Sequence, residues 1–357
     1  MAASPPSAWI PRDVIRWGII GCGDVTEVKS GPGFQKATGS QLVAVMRRNA
    51  ALAEDYAKRH GVPKWYSDAD ALINDAEVDA VYIATPPGSH LEYALRVAAA
   101  GKPCHVEKPM ARNTTECDAM VAAFAKARLP LFVAYYRRAQ PRFLKIKSLI
   151  DEGALGQVTN IEYHFTDPRH IAQAGTLPWR LDAENAGGGF FLDIGSHTLD
   201  LLDFFFSALE NISGHVANFA SPYDVEDTLA MSFRTPTGIP GTASWNFAGA
   251  VKKTEDLFQF TGTKGRLTFS TFGNDPLLLD TGDGFVQEFP FTPPQHVAQP
   301  LIQTVVDDLR GVGQCPSTGV TAQRTSHVMD TVLDSFYGGR QDAFWKRADK
   351  WPGRRKG

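Results

Sequence analysis

The sequence predicts an α/β protein of two domains, a parallel sheet wrapped by helices followed by a mostly antiparallel one. Length argues first, since 357 residues exceed what a single ordinary core encloses. The second observation is an alternation of short apolar runs and helical segments over roughly the first 135 residues. That is the pattern of parallel strands covered on both faces. The third is a change at about residue 140, beyond which extended runs are separated by hairpin-like breaks.

Taken in order, Val14–Ile20 and Leu42–Met46 are apolar runs of strand length, and Ala80–Ala84, Cys104–Val106 and Leu131–Tyr135 continue the series. Between them lie helical segments, Ala50–His60, His90–Ala100 and Thr115–Ala127. Ser89 with Glu92, and Asn113 with Glu116, have capping-box spacing, and Gly61 and Gly101 stand where helices end. The second part opens with a helix over Arg142–Glu152 and an extended run over Val158–Thr166. A glycine-led helix around Asp193 follows, with Phe190, Phe191, Phe204, Phe205 and Phe206 read as core packing. Extended runs from Asn211 to roughly Phe291 then break at Thr237-Gly238, Thr263-Lys264-Gly265 and Gly282-Asp283-Gly284. Two helices, Pro300–Arg310 and Val320–Phe336, close the chain.

Composition excludes several function classes. With 43% hydrophobic and 21% charged residues and a net charge of -3, nothing attracts nucleic acid or an anionic membrane. No apolar run reaches membrane-span length. Cys22, Cys104, Cys117 and Cys315 form no C-x-x-C pair, so no metal site and no disulfide framework is expected, and a reduced, cytoplasmic setting fits. Residues 1–12 read as a loose tail.

Gly21-Cys22-Gly23-Asp24-Val25-Thr26 follows the first strand and opens a helix. In that context the glycines permit a tight turn and let a pyrophosphate approach the backbone. Thr26 takes the place of the third glycine. At the end of the second strand, where an acid would bind a ribose 2′-OH, the chain has Arg47-Arg48. Two guanidinium groups suit a 2′-phosphate, which favours NADP(H) over NAD(H), with Asn49 adding a hydrogen bond. Thr85-Pro86-Pro87-Gly88-Ser89-His90 is a proline-stiffened turn at the end of a central strand, where such sheets bind ligands.

Two further segments carry chemistry. In Glu107-Lys108-Pro109 the proline biases Lys108 toward extended geometry, so the lysine projects from a strand end. In Gly187-Gly188-Gly189-Phe190-Phe191-Leu192-Asp193-Ile194-Gly195-Ser196-His197, Asp193 and His197 are four apart on one helix face. The glycines before them leave room for a ligand. An acid and an imidazole on one ledge can move a proton at neutral pH.

Through these segments, and through Val78-Asp79-Ala80-Val81 to Pro86, the chain resembles the Gfo/Idh/MocA family of nicotinamide-dependent oxidoreductases over nearly its whole length. The resemblance implies an N-terminal Rossmann domain, 13–138, and a C-terminal α/β domain, 139–357, whose large, open, mostly antiparallel sheet makes homodimer or homotetramer contacts. It places Lys108, Asp193 and His197 at the family's catalytic positions. His197 would exchange the hydroxyl proton as hydride moves, Lys108 would stabilise the alkoxide-like oxygen, and Asp193 would hold the hydroxyl or orient the base. The nucleotide set is Gly21, Gly23, Asp24, Val25, Thr26, Arg47, Arg48, Thr85, Pro86, Pro87, His90, Glu107, Lys108 and Arg137. Tyr136, Trp179 and Arg180 are expected to meet substrate, and Tyr163, His164, Asp167 and His170 rank below them. The acidic turn Asp224–Asp227 is expected to be structural. The expected substrate is a sugar, polyol or cyclic diol and its ketone. Two other readings stay open, an NAD-dependent glycosidase using redox-assisted elimination and a nucleotide-sensing regulator of the same fold. Arg47 counts against the first, and the presence of Lys108, Asp193 and His197 together counts against the second.

Overall fold

The computed structural model describes residues 9–168, 178–219 and 223–355; the first eight residues of the expected tail, and His170, lie outside the described residues. The chain divides into two compact units: Met1–Ala111, Thr115–Gln140 and Pro294–Gln323 in the first, Arg112–Thr114, Pro141–Pro293 and Arg324–Gly357 in the second.

The first unit is the Rossmann-type α/β domain that the strand–helix alternation predicts. Its strands are β1 (Ile15–Ile20), β2 (Ser40–Met46), β3 (Lys64–Tyr66), β4 (Ala80–Ile83), β5 (Cys104–Val106) and β6 (Leu131–Val133), all parallel, in the order β3-β2-β1-β4-β5-β6. Alternate residues serve opposite faces. Trp17, Ile19, Tyr82 and Phe132 pack in one core with Leu301, Val305 and Leu309, while Ile20, Val81, Ile83, Cys104 and Val106 pack in another with Ala94, Val97 and Met120. The expected helix at 300–310, found as Gln299–Leu309, thus belongs to this unit and covers one sheet face. β3 escaped the periodicity reading because it has three residues, none of them buried.

Capping follows the sequence in part. Asn49 Oδ1 accepts from Leu52 N at 3.2 Å and so caps Ala50–His60, which ends on left-handed Gly61. Ser89 does not form the expected box with Glu92; its hydroxyl donates to Thr85 Oγ1 at 2.8 Å instead.

The second unit holds the mostly antiparallel sheet: β7 (Val158–Pro168), β8 (Glu210–Ala217), β9 (Thr228–Arg234), β10 (Pro240–Gly249), β11 (Glu255–Gly262), β12 (Arg266–Phe269), β13 (Leu277–Asp280) and β14 (Val286–Phe289). Their order is β14-β13-β12-β11-β7-β10-β9-β8, and among the described residues only the β7–β10 pairing of this sheet is parallel. Turns at all three expected breaks join these strands, with Gly238, Gly282 and Gly284 at positive φ. Inward residues such as Ile161, Tyr163, Phe165, Trp245 and Phe258 meet Phe191, Leu199 and Phe205 in one core.

Candidate active site

In the first unit the strand order reverses between β1 and β4, which is where open α/β sheets take ligands at their carboxyl ends. The glycine turn leaves β1 at that point. Gly21 sits at φ +92°, and a Cβ there would come within 2.8 Å of Thr85 Cγ2, so the turns after β1 and β4 touch because residue 21 has no side chain. Among the described residues a Cβ on Gly23 would meet nothing nearer than 4.0 Å, which leaves its backbone open to a ligand. Thr26 is fully buried and its hydroxyl donates to Gly23 O at 2.7 Å, so it ties the turn internally. Asp24 is exposed and Val25 half-buried.

Arg47 and Arg48 are exposed at the end of β2, and Arg47 Nη1 lies 3.5 Å from Cys22 O inside the glycine turn. The cationic end of Arg47 is therefore beside the turn. The Asn49 side chain expected to assist it is spent on the helix cap. Cys22 is buried, and its thiol is pushed up to about 11 by desolvation, so it is not a nucleophile.

The Thr85 turn and the Glu107-Lys108-Pro109 turn are tied together by His90. This histidine is fully buried, with Nε2 2.7 Å from Thr85 O and Nδ1 3.2 Å from both Pro109 O and Met110 O. Burial holds its pKa below the ordinary value. Glu107 has a similar structural employment: Tyr82 Oη donates to one carboxylate oxygen at 2.5 Å and Lys108 N to the other at 3.1 Å. The peptide bond from Lys108 to Pro109 is cis. His90 and Glu107, expected at the nucleotide, thus hold the backbone on which Thr85, Pro86, Pro87 and Lys108 are displayed. Arg137 is buried, and its Nη1 donates to Tyr136 Oη at 3.0 Å.

The second unit carries Asp193 and His197. The segment is not one continuous α-helix: Phe191–Gly195 is a π-helical turn, which passes into the α-helix Ser196–Phe206. Such turns recur at functional sites. Gly195 makes this one possible, because a Cβ there would lie 2.2 Å from Phe191 Cδ2. Gly195→Ala is expected to cost about 1–3 kcal/mol through overpacking, read as a lowered denaturant midpoint; an unchanged midpoint would show that the ring can move aside.

The triple glycine has a different purpose from the one expected. A Cβ on Gly187 would meet Arg112 O at 2.7 Å, one on Gly188 Tyr337 Oη at 3.1 Å, and one on Gly189 Glu226 O at 2.3 Å. Protein, not ligand, occupies that space.

Asp193 accepts from Arg180 Nε at 2.9 Å, and the Arg180 guanidinium lies 4.5 Å from the centre of the Trp179 ring. Trp179, Arg180 and Asp193 therefore form one partly exposed ledge. His197 is buried, and its ring stands edge-on to Phe272 at 5.9 Å. Of the weaker candidates, Tyr163 points into the core, while His164 lies on the outer sheet face beside Ser244 and Thr166. Asp167 accepts from the Thr254 hydroxyl. In the acidic turn, Glu226 is buried, and Asp227 accepts from Phe219 N at 3.0 Å.

Among the described residues no group of His, Cys, Asp and Glu could hold a metal ion, and no helix is long and apolar enough to cross a membrane.

Two family models match the chain: the oxidoreductase family NAD-binding Rossmann fold over residues 15–135, and the GFO/IDH/MocA C-terminal domain over 143–268. Oxidoreductase P35 of Formosa agariphila is 38% identical, covering 88% of this chain and 97% of its own. The 1,5-anhydro-D-fructose reductase of Ensifer adhaerens is 30% identical over 71% of this chain and 74% of its own. Mouse trans-1,2-dihydrobenzene-1,2-diol dehydrogenase is 29% identical, covering 77% and 80%. A levoglucosan dehydrogenase solved with NADH and levoglucosan shares the fold, with a TM-score of 0.80 at 22% identity and coverage of 90% and 96%.

Proposed function

The chain belongs to the GFO/IDH/MocA family of oxidoreductases, and from that premise we propose that it is an NADP(H)-preferring enzyme acting on a sugar, polyol or cyclic diol and the corresponding ketone. The observation that carries the chemical reading is the ledge on the π-helical turn, where Arg180 holds Asp193 one turn before the buried His197. The names of the relatives, a sugar-derived ketone reductase and a diol dehydrogenase, support the substrate class.

The first unit fits a dinucleotide: an open backbone at Gly23, a turn closed by Gly21 against Thr85, and Arg47 beside it. Gly21, Gly23, Asp24, Val25, Thr85, Pro86, Pro87, Lys108 and Arg137 would hold it, with Arg47 and Arg48 on a 2′-phosphate. Thr26, His90 and Glu107 would keep those turns in shape. Bound there, the nicotinamide supplies hydride exchange with the carbon that bears the substrate oxygen. In the oxidative direction the His197 imidazole takes the hydroxyl proton as that C–H bond breaks, and in the reductive direction it returns it. Lys108 donates a hydrogen bond to the same oxygen while negative charge builds there. Asp193, held by Arg180, accepts from a substrate hydroxyl, and the Trp179 face is available to the apolar side of a sugar ring.

Initial rates at 340 nm with NADP⁺ and NAD⁺ across polyols, aldoses and 1,2-diols test the reading; silence with every substrate and both nucleotides sinks it. Arg47→Ala should lower kcat/KM for NADP⁺ by roughly tenfold to a hundredfold, the worth of a charge-assisted phosphate contact, and leave NAD⁺ nearly unaffected. Equal losses with both nucleotides would remove the 2′-phosphate from the proposal. The reading extends to a homodimer or homotetramer, measurable by light scattering, and to a reducing, cytoplasmic setting, which fits four buried cysteines.

A further inference from the structure

We infer that Glu226 and Tyr337 are positioning residues for the catalytic turn, acting as a buried tether on the glycine segment that precedes Asp193. The inference rests on the reading that Asp193 and His197 do the chemistry.

Glu226 is fully buried, and burial raises its pKa above the ordinary carboxylate value. Its two oxygens have separate partners: Gly189 N donates to Oε1 at 2.9 Å, and the Tyr337 hydroxyl donates to Oε2. Gly189 is two residues before the π-helical turn, so this hydrogen bond fixes where that turn begins. The fit is close from both sides. A Cβ on Gly189 would strike Glu226 O at 2.3 Å, and one on Gly188 would crowd Tyr337 Oη at 3.1 Å.

The tether has a rigid base. The Tyr337 ring packs against Phe344 at 4.8 Å and Trp351 at 4.6 Å, and the Arg340 guanidinium lies 4.8 Å over it. Arg340 is itself buried and paired with Asp330 at 2.7 Å. A carboxylate placed this deep is costly to bury. A core that needed only volume would put an apolar side chain there. What the carboxylate adds is a directional hold on one backbone N–H, and a glycine turn, with its wide conformational freedom, is the backbone that most needs one. Asp193 and His197 follow within eight residues of the held atom.

The test compares E226A, E226Q, Y337F and H197A in the full-length protein, measuring kcat, KM, nucleotide Kd and thermal midpoint. E226A should lower kcat by about tenfold to a hundredfold, the scale of a misplacement near 1 Å, with nucleotide Kd within about twofold. E226Q should restore kcat to within about threefold, because the amide oxygen still accepts from Gly189 N and the amide nitrogen can donate to the Tyr337 oxygen. Y337F keeps the ring packing and is the variant to read if E226A does not fold; its kcat should fall about threefold to tenfold. Wild-type kcat in folded E226A or Y337F overturns the inference, as does an E226Q that fails like E226A. If H197A turns over normally, the reading of the catalytic residues fails instead.

Discussion

His197→Ala is expected to lower kcat by about 10²–10⁴-fold, the range spanned by losing a positioned general base, while nucleotide Kd stays within about twofold. The two effects separate because the residues proposed for the nucleotide and His197 belong to different compact units of the chain. The pH profile gives a second readout. A base that must be neutral to accept the hydroxyl proton imposes an acid limb on kcat/KM in the oxidative direction, and that limb should vanish in the variant. Asp193→Asn should act differently. Arg180 Nε donates to the Asp193 carboxylate, so the variant replaces an ionic hydrogen bond by a neutral one, and KM should rise more than kcat falls. Wild-type turnover in H197A, or retention of the acid limb with a loss confined to KM, would move the proton transfer to another group.

The fold was legible because its signals are local and repeated. β1, β2, β4, β5 and β6 each bury alternate residues on two faces, so each reads as an apolar run of strand length. The glycine turn was legible for a related reason: Gly21 at φ +92° is a backbone requirement that composition records directly. What the sequence hid was long-range partnership. Nothing near Gly187–Gly189 announces that Arg112, Tyr337 and Glu226 fill the space those glycines vacate, up to 150 positions away, so the glycines read as room for a ligand. The π-helical turn was hidden as well, since a one-residue widening leaves the Asp193–His197 interval unchanged; its one trace is Gly195, which spares Phe191. His90 and Glu107 draw notice from their position after strand ends, while the ties they make depend on Pro109, Met110 and Tyr82.

The largest stability effect should come from His105, which no step of the proposed chemistry uses. It lies on β5 and faces the core shared by Tyr82, at 5.1 Å, and Phe34, at 6.1 Å. Among the described residues neither ring nitrogen has a hydrogen-bond partner, and desolvation pushes its pKa down to about 3. The native state thus refuses a proton that the unfolded chain takes up near its ordinary pKa of about 6.5. Between those two values the unfolded state binds more protons, so stability rises with pH there. The contribution is complete above the unfolded pKa and is lost progressively as pH falls toward 3. Lowering pH from 7.5 to 5 should therefore cost about 2 kcal/mol from this residue alone. His105→Leu removes the linkage, along with two buried polar atoms that bond to nothing, so the variant should match or exceed wild type at pH 7.5 and lose about 2 kcal/mol less on acidification. Urea unfolding of both proteins at the two pH values isolates the effect, because His90 and the carboxylates titrate in both and cancel in the difference. Equal acid sensitivity in the two proteins would mean that His105 reaches a proton in the folded chain, and that the core beneath Phe34 is open to water.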